Sequence, residues 1–170
     1  MADDVAGVVI RDLRPSDWPA VAAIYGEGIE TGDATLESAI PPWSQWDAGH
    51  RSDCRLVAER DGQVVGWTAI SSYSGRSVYS GVAWESVYVA ASARGAGVGR
   101  ALLEALIEAS EAAGVWTLLA GVQIENKASL ALHERVGFRR IGVQERVGRD
   151  PMGRWRDVVL LERRSTLVGD

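Results

Sequence analysis

The chain has 170 residues, of which 46% are hydrophobic and 24% are charged, and its formal net charge is −5. This length favours one domain with a sizeable core, and the composition is typical of a globular protein. The acidic balance argues against a general nucleic-acid binder, and no apolar run approaches the ~20 residues of a membrane span. We therefore expect one domain over residues 8–164, flexible termini at 1–7 and 165–170, and no nucleic-acid or membrane partner.

The numbers of cysteines and histidines limit the compartment and the kinds of site that we expect for the protein. Cys54 is the only cysteine, so an internal disulfide is excluded, and we expect a structural thiol in a reducing compartment. The N-terminus begins acidic and lacks the basic start and apolar block of a signal peptide. These features predict a cytoplasmic protein. The two histidines, His50 and His133, stand far apart in the sequence and give no plausible metal site.

The first half of the chain predicts a strand, a helix and a hairpin. Residues 8–15 alternate like a strand, and residues 16–30 have the apolar spacing of a helix. Residues 31–46 are rich in turn formers and predict a long loop that leads into a short helix. Two alternating runs then meet at Asp61-Gly62, a dipeptide preferred in tight hairpin turns.

The second half continues with alternating elements. A strand over residues 81–91 precedes a long helix that stops at Gly114, and residues 115–123 read as a buried strand. A second helix over residues 126–136 is followed by two closing strands over residues 138–164. The order of strand, helix, three strands, helix, strand, helix and two strands predicts a mixed α/β or α+β sheet in one domain, flanked by helices.

The stretch "SARGAGVGRALL" places alternating glycines where the long helix begins. Each glycine costs ~1 kcal/mol relative to alanine in a helix, so packing alone does not account for them. A glycine-rich turn at a helix start presents unpaired N–H groups at the positive end of the helix dipole, which suits a diphosphate. A Walker loop would need a lysine before a hydroxyl residue, and a dinucleotide fingerprint would need glycine at Leu102. The predicted anion site consists of Arg94, Gly95, Ala96, Gly97, Val98, Gly99 and Arg100.

This loop resembles the pyrophosphate loop of the GNAT family of N-acetyltransferases, which follows the pattern Q/R-x-x-G-x-G/A and binds acetyl-coenzyme A (acetyl-CoA). The stretches "IETGDATLE", "VYV", "ENKAS", "LHERVGF" and "GRWRDVVLLER" are similar to its phosphinothricin and methionine-sulfoximine acetyltransferase branch, over roughly residues 9–163. The resemblance implies a mostly antiparallel sheet of about seven strands, splayed between the fourth and fifth. It also implies a homodimer and acetyl-CoA as co-substrate.

The resemblance further implies which residues contact the co-substrate. Val87 and Val89 would offer backbone groups to the pantetheine arm and the thioester, with Tyr88 between them in the same strand. Asn126 and Ser129 would contact the pantetheine arm from the following helix. Asparagine also favours the N-cap of any helix, so a purely structural role for Asn126 stays open.

The same resemblance suggests candidates for acid–base chemistry. His133 stands where the family places a donor for the leaving thiolate, and a histidine with a pKa near 6.5 can serve that role. The family glutamate that acts as base would fall at Trp84, and the nearest carboxylate is Glu85, one place later. A shift of one residue reverses the face of a strand, so we expect Glu85 to point away unless a β-bulge restores its direction. Glu85 remains the candidate base.

The substrate implied by the resemblance is a small amino-acid-like amine. Thr35 and Leu36 lie in the matching loop, and Trp84 adds a bulky group near it. Arg76 matches a position near the acidic end of the substrate, where a guanidinium suits a carboxylate or phosphinate. We predict transfer of acetyl from acetyl-CoA to the amine by direct attack in a ternary complex. The alternatives are acetylation of a protein amine, N-terminal or lysine, and a coenzyme A-binding module without catalysis.

Overall fold

The computed structural model describes residue 5 and residues 7–169. Within these residues, seven strands and four α-helices alternate along the chain, joined by loops and three single 3-10 turns. They are β1 (Val8–Asp12), α1 (Trp18–Thr31), α2 (Trp43–Gly49), β2 (Leu56–Arg60), β3 (Gln63–Ser72), β4 (Val82–Val89), α3 (Val98–Ala112), β5 (Thr117–Gln123), α4 (Lys127–Arg135), β6 (Arg139–Arg149) and β7 (Trp155–Arg164). No helix in this described part of the chain is both long and apolar enough to cross a membrane.

All seven strands form one sheet in the order β1-β2-β3-β4-β5-β7-β6. Every neighbouring pair is antiparallel except β4 and β5, which run parallel. These two strands pair only through Val82–Trp84 and Thr117–Leu119 and diverge beyond that point. The predicted mixed, mostly antiparallel sheet, splayed between its fourth and fifth strands, is confirmed.

The sheet carries an apolar cluster on each face. Leu102 and Leu106 of α3 and Leu130 of α4 pack with Ile70 and Ala83 on one face. On the other face, residues of α1 and α2 pack with β2 and β3, among them Val21, Ile24, Trp46, Val57 and Trp67. Because side chains alternate along a strand, Ala83, Glu85, Val87 and Val89 face the side of α3 and α4, whereas Trp84, Ser86 and Tyr88 face the side of α1 and α2.

Local turn chemistry explains where elements begin and end. The hairpin between β2 and β3 turns at Asp61 (φ 52°) and Gly62 (φ 74°), as the sequence predicts. The first strand ends earlier than predicted, at Asp12. The carboxylate of Asp17 accepts a hydrogen bond from the Arg14 backbone N–H at 2.8 Å and pairs with Arg11, which fixes a 3-10 turn before α1.

Candidate active site

A cleft of about 700 Å³ opens where β4 and β5 diverge. Its walls come from β4, the start of α3, one side of α4 and the end of α1. All the residues that the resemblance assigns to the co-substrate line this cleft except Ala96. The divergence of two strands is therefore what makes room for a ligand in the middle of the sheet.

The glycine loop gives this cleft an exposed patch of backbone. Gly95 and Gly97 have φ values of 75° and 84°, in the left-handed region that glycine tolerates, and Gly97 is the N-cap of α3. No side-chain cap is formed at this helix start among the described residues, so its first N–H groups remain available to an anion. A Cβ on Gly95 would meet nothing within 4 Å and would project into this space.

The charges around the cleft favour an anion although the whole chain is acidic. Arg94, Arg100 and Arg135 line it together with Asp33 and Glu104. The Arg100 guanidinium donates to Glu104 at 2.8 Å. Sequence reasoning missed Arg135, because a basic residue in the last turn of a helix is read as an interaction with the helix dipole.

Asn126 joins the start of α4 to the loop after α1. Its Oδ1 accepts a hydrogen bond from the Ser129 N–H at 3.1 Å, which confirms the predicted N-cap. Its Nδ2 donates to the carbonyl oxygen of Asp33 at 3.3 Å. Asn126 thus holds two walls of the cleft together while it lines the cleft itself.

The loop that contains Asp33 is held from a second side by Arg156 of β7. The Arg156 side chain is 7% exposed and pairs with Asp33 at 2.7 Å, Glu125 at 3.2 Å and Asp150 at 3.2 Å. One buried guanidinium therefore connects the loop after α1, the end of β5 and the hairpin between β6 and β7. The sequence gives no signal for this cluster, because Arg156 is one of several arginines in "GRWRDVVLLERR".

Glu85 and His133 meet beneath the cleft. Their side chains are 3% and 2% exposed, and His133 Nε2 lies 2.7 Å from Glu85 Oε1. The pairing of β4 with β3 is uninterrupted from Ala83 to Val89, so no bulge turns Glu85 back toward the face of Trp84. Neither residue lines the cleft, and Ser129, which does, connects them to it. The contact joins residues 48 positions apart, so no local pattern reveals it.

The surroundings of His133 favour its charged form. Burial by itself would lower the pKa of His133, but the charge of Glu85 and hydrogen bonds to Glu85 and to the Ser129 backbone outweigh it and raise the pKa. The ring also meets Phe138 edge to face, 5.2 Å away between centroids. The imidazole is thus held in one orientation by polar groups at both nitrogens.

A second cavity of about 460 Å³ lies on the opposite face of the sheet, under the loop before α2. Aromatic rings from α1, α2, β3 and β4 line it, including Tyr25, Trp46, Trp67 and Tyr88. Tyr88 belongs to both cavities and stacks on Trp67 at 4.9 Å. Sequence reasoning missed this cavity, because tryptophans in a helix and a strand are equally typical of a core.

The predicted substrate residues are spread over three places. Thr35 lies beside both tyrosines, since its hydroxyl opposes the rise that burial causes in the pKa of Tyr25 and of Tyr88. Leu36 reaches β6, where its Cδ1 lies 2.6 Å from the position a Cβ on Gly148 would take. Arg76 sits over the ring of Tyr79 at 5.4 Å, and Trp84 lies 6.3 Å from Tyr73. Neither Arg76 nor Trp84 lines either cavity.

Two further chemistries find no support in the described residues. Burial raises the pKa of Cys54 to about 11, so this half-buried side chain stays a thiol at neutral pH and is a poor nucleophile. No group of three or more histidine, cysteine, aspartate or glutamate side chains could hold a metal ion in the part of the chain described.

Comparisons with known proteins agree with this geometry. A phosphinothricin N-acetyltransferase of Alcaligenes faecalis is 41% identical over 165 residues, which cover 91% of this chain and 81% of that protein. An L-methionine sulfoximine/L-methionine sulfone acetyltransferase of Pseudomonas paraeruginosa is 31% identical, over 90% of this chain and 92% of that protein.

Solved structures give the same result. A phosphinothricin acetyltransferase from Sinorhizobium meliloti, in complex with acetyl-CoA, superposes with a TM-score of 0.83 at 28% identity, over 94% of this chain and 89% of that one. A ribosomal-protein-alanine N-acetyltransferase from Brucella melitensis superposes with a TM-score of 0.84 at 35% identity, over 92% and 99%. The sequence profile of the acetyltransferase (GNAT) family matches residues 10–138. The chain therefore belongs to the acetyltransferase (GNAT) family and is an N-acetyltransferase that resembles the phosphinothricin and methionine-sulfoximine acetyltransferase branch.

Proposed function

We propose that the protein transfers acetyl from acetyl-CoA to the amino group of a small amino-acid-like substrate of the phosphinothricin or methionine sulfoximine type. The observation that carries the proposal is the cleft between β4 and β5, with the glycine loop at one end and Ser129 and Asn126 along its wall. The two relatives that are 41% and 31% identical to the chain over the aligned residues are named as acetyltransferases of such amines.

The residues of the cleft fit acetyl-CoA as co-substrate. Backbone N–H groups of the glycine loop, with Arg94 and Arg135 nearby, would hold its diphosphate, and β4 would pair with its pantetheine arm where β5 has turned away. Bound acetyl-CoA supplies the acetyl group as a thioester. The Sinorhizobium meliloti relative, of the same fold, contains acetyl-CoA.

The amine would approach from the aromatic cavity. Tyr88 separates this cavity from the cleft, and Thr35 lies beside its phenol, so an amine there would reach the co-substrate next to β4. Direct attack in a ternary complex requires both cavities to be filled together. The buried pair Glu85 and His133 would support the reaction from beneath the cleft, and an α-amino group of pKa near 8 is already partly neutral.

A second candidate is acetylation of a protein N-terminus. It is favoured by the Brucella melitensis relative, a ribosomal-protein-alanine N-acetyltransferase that is 35% identical over 92% of this chain. The side chains of Tyr73, Val78 and Tyr79 are 45%, 65% and 38% exposed and would offer such a peptide an apolar surface.

Thiol release from acetyl-CoA tests these proposals. The acceptors would be phosphinothricin, methionine sulfoximine, methionine sulfone, common amino acids, a lysine peptide and a peptide that begins with alanine. Release with the amino-acid analogues supports the first proposal, and release with the alanine peptide alone supports the second. Release with none, while coenzyme A binds, would support a coenzyme A-binding module without catalysis.

The co-substrate site has its own test in Gly95→Ala, with Gly62→Ala as the matched control. Both glycines have φ values near 75°, and a Cβ would meet nothing within 4 Å at either, so both variants lose a similar ~1 kcal/mol or more to backbone strain. Only Gly95 lines the cleft. We expect calorimetry to show coenzyme A affinity at least ~10-fold weaker for Gly95→Ala and unchanged for Gly62→Ala. Equal affinities would place the diphosphate elsewhere.

We also propose that the protein is a cytoplasmic homodimer. The edge strand β6 supports the dimer, because it exposes the apolar side chains of Ile141, Val143 and Val147 at 44%, 50% and 48%. An exposed apolar edge strand is normally covered or paired in a stable protein. The single cysteine, a thiol at neutral pH, suits a reducing compartment.

A further inference from the structure

The hydrogen atoms of the His133 ring are fixed by its neighbours. Nδ1 lies 2.7 Å from the carbonyl oxygen of Ser129, which can only accept a hydrogen bond, so Nδ1 carries a hydrogen. Nε2 lies 2.7 Å from Glu85 Oε1, and two lone pairs at that distance would repel, so one proton is shared between these two atoms. His133 therefore donates at Nδ1 while the proton at Nε2 is shared with Glu85.

This arrangement fixes the role of the Ser129 hydroxyl. Its Oγ lies 3.3 Å from the same Nδ1, and because Nδ1 has no lone pair to offer, the hydroxyl oxygen accepts. No other hydrogen bond of Oγ is formed with the described residues. The O–H group is thus left to donate, and Ser129 lines the cleft. The geometry also excludes a serine nucleophile, since His133 cannot take a proton at Nδ1.

The position of Ser129 along the cleft indicates what it would meet. A Cβ on Gly99 in the glycine loop would lie 3.0 Å from Leu132 and 3.5 Å from Val89, so these residues mark the diphosphate end. Glu85 precedes Val89 by four residues, about 13 Å along an extended strand. Ser129 lies one turn of α4 before Leu132, about 4.5 Å along the helix, and its connection through His133 to Glu85 places it on the side of Leu132 away from the glycine loop.

We propose, resting on the proposed function, that Ser129 is the catalytic residue that donates a hydrogen bond to the departing sulfur, with His133 and Glu85 as positioning residues. The amine nitrogen forms a bond to the carbonyl carbon, the carbon–sulfur bond breaks, and its electron pair goes to sulfur. Ser129 O–H stabilises this charge. The surplus proton of the nitrogen passes to water, and water returns a proton to the thiolate.

Kinetics of Ser129→Ala and Ser129→Thr test the donor. A hydrogen bond made only to the developing thiolate changes kcat and leaves ground-state binding alone. We expect Ser129→Ala to lower kcat about 10- to 100-fold, with KM for acetyl-CoA and the affinity for coenzyme A unchanged. Ser129→Thr keeps the hydroxyl and should keep kcat within about 3-fold. An unchanged kcat in Ser129→Ala, or a loss that threonine does not restore, would overturn the proposal.

A second measurement needs no acceptor amine. The ultraviolet absorbance of the coenzyme A thiolate, bound to the protein and titrated with base, reports the pKa of the bound thiol. We expect Ser129→Ala to raise this pKa by about one unit relative to wild type. An identical pKa in the two proteins would overturn the proposal. Failure of the wild-type protein to bind coenzyme A would instead overturn the proposed function.

Two variants of His133 separate positioning from a general structural role. The amide of asparagine occupies the place of Nδ1 and can still donate to Ser129, whereas the amide of glutamine occupies the place of Nε2 and keeps the contact with Glu85. We expect His133→Asn to retain more kcat than His133→Gln, with the melting temperature of each measured alongside. If kcat falls only as far as the melting temperature falls in each variant, whichever nitrogen the amide replaces, then His133 only supports the fold.

Discussion

The surroundings of the two histidines of this chain shift their pKa values in opposite directions. Burial lowers the pKa of His50, which stacks on Trp46 at 4.2 Å, whereas Glu85 raises the pKa of His133 against the effect of burial. A histidine responds to such differences within the physiological range because its ordinary pKa is near 6.5. Measuring the pKa of both histidines therefore tests the contacts described for the candidate active site.

A titration followed by NMR checks this expectation. We expect one histidine to titrate above pH 6.5 and the other below it, and Glu85→Gln to bring only the upper one down. The histidine that does not move serves as the internal control, since His50 packs against Trp46 and Trp67 on the opposite face of the sheet from Glu85. An upper value that Glu85→Gln leaves unchanged would contradict the described contact between Glu85 and His133.

The same shift predicts a pH dependence of stability. The folded-state pKa of His133 lies above its unfolded value, so its stabilising effect is fully present below about pH 6.5 and is lost as the pH rises through the folded pKa. We expect the wild type to exceed Glu85→Gln in free energy of unfolding most at pH 6. That excess should shrink toward pH 9, by about 1.4 kcal/mol for each unit of raised pKa. Urea unfolding across this range measures it.

Single residues show what a sequence can reveal about a site. Asn126 was predictable as a cap, because an asparagine directly before a helix can accept a hydrogen bond from the backbone N–H groups of the first turn. Strand alternation predicted that Glu85 faces opposite to Trp84, as the uninterrupted register has it, but that face is the one that lies beneath the cleft. Its partner His133 could not be predicted, because the contact depends on how α4 lies across β4.

At the scale of elements, the loop after α1 depends on partners that are far away in sequence. Arg156 binds Asp33 across 123 positions, and Asn126 binds the same residue across 93. Long irregular loops have no regular backbone hydrogen bonds of their own, so side chains from other elements must order them. This explains why the loop was predicted as present while its anchoring was not.

Arg156→Gln tests this anchoring, with Arg154→Gln as the matched control. Both arginines pair with Asp150, but the Arg154 side chain is 63% exposed and that of Arg156 only 7%. Loss of the buried guanidinium removes the contact that joins Asp33 and Glu125 to Asp150, although Asp150 keeps Arg154, whereas an exposed pair contributes little. We expect calorimetry to show Tm lower by at least ~5 °C for Arg156→Gln and by no more than ~2 °C for Arg154→Gln. Equal changes would contradict a specific role for Arg156.

At the scale of the whole molecule, the order of the secondary-structure elements was the feature that the sequence predicted most reliably. Alternating periods of two and 3.6 residues gave seven strands and the helices between them in the order that the structure has. The arrangement of those strands and their divergence came from the family resemblance and is confirmed. The aromatic cavity escaped prediction, because it arises only when α2 is packed against β3.

The assembly is tested at the two edges of the sheet. Val143 on β6 is 50% exposed and Val9 on β1 is 62% exposed, so lysine at either position replaces an exposed valine on an edge strand. We expect light scattering to show the wild type and Val9→Lys at about twice the 18.3 kDa of one chain, and Val143→Lys at 18.3 kDa. A wild type of 18.3 kDa would contradict the dimer.

The short pairing of β4 with β5 has a consequence for how this enzyme can evolve. Three residue pairs join the strands, and past Trp84 the freed side of β4 offers peptide groups in place of side chains. A binding surface made of main chain is inherited with the fold and tolerates most substitutions, except proline, which removes a donor. In the proposed function, substitutions in the loops and aromatic rings therefore change the acceptor site while the peptide groups of β4 still bind the co-substrate. Related enzymes of this fold can thus differ in their substrates while they keep the same reaction.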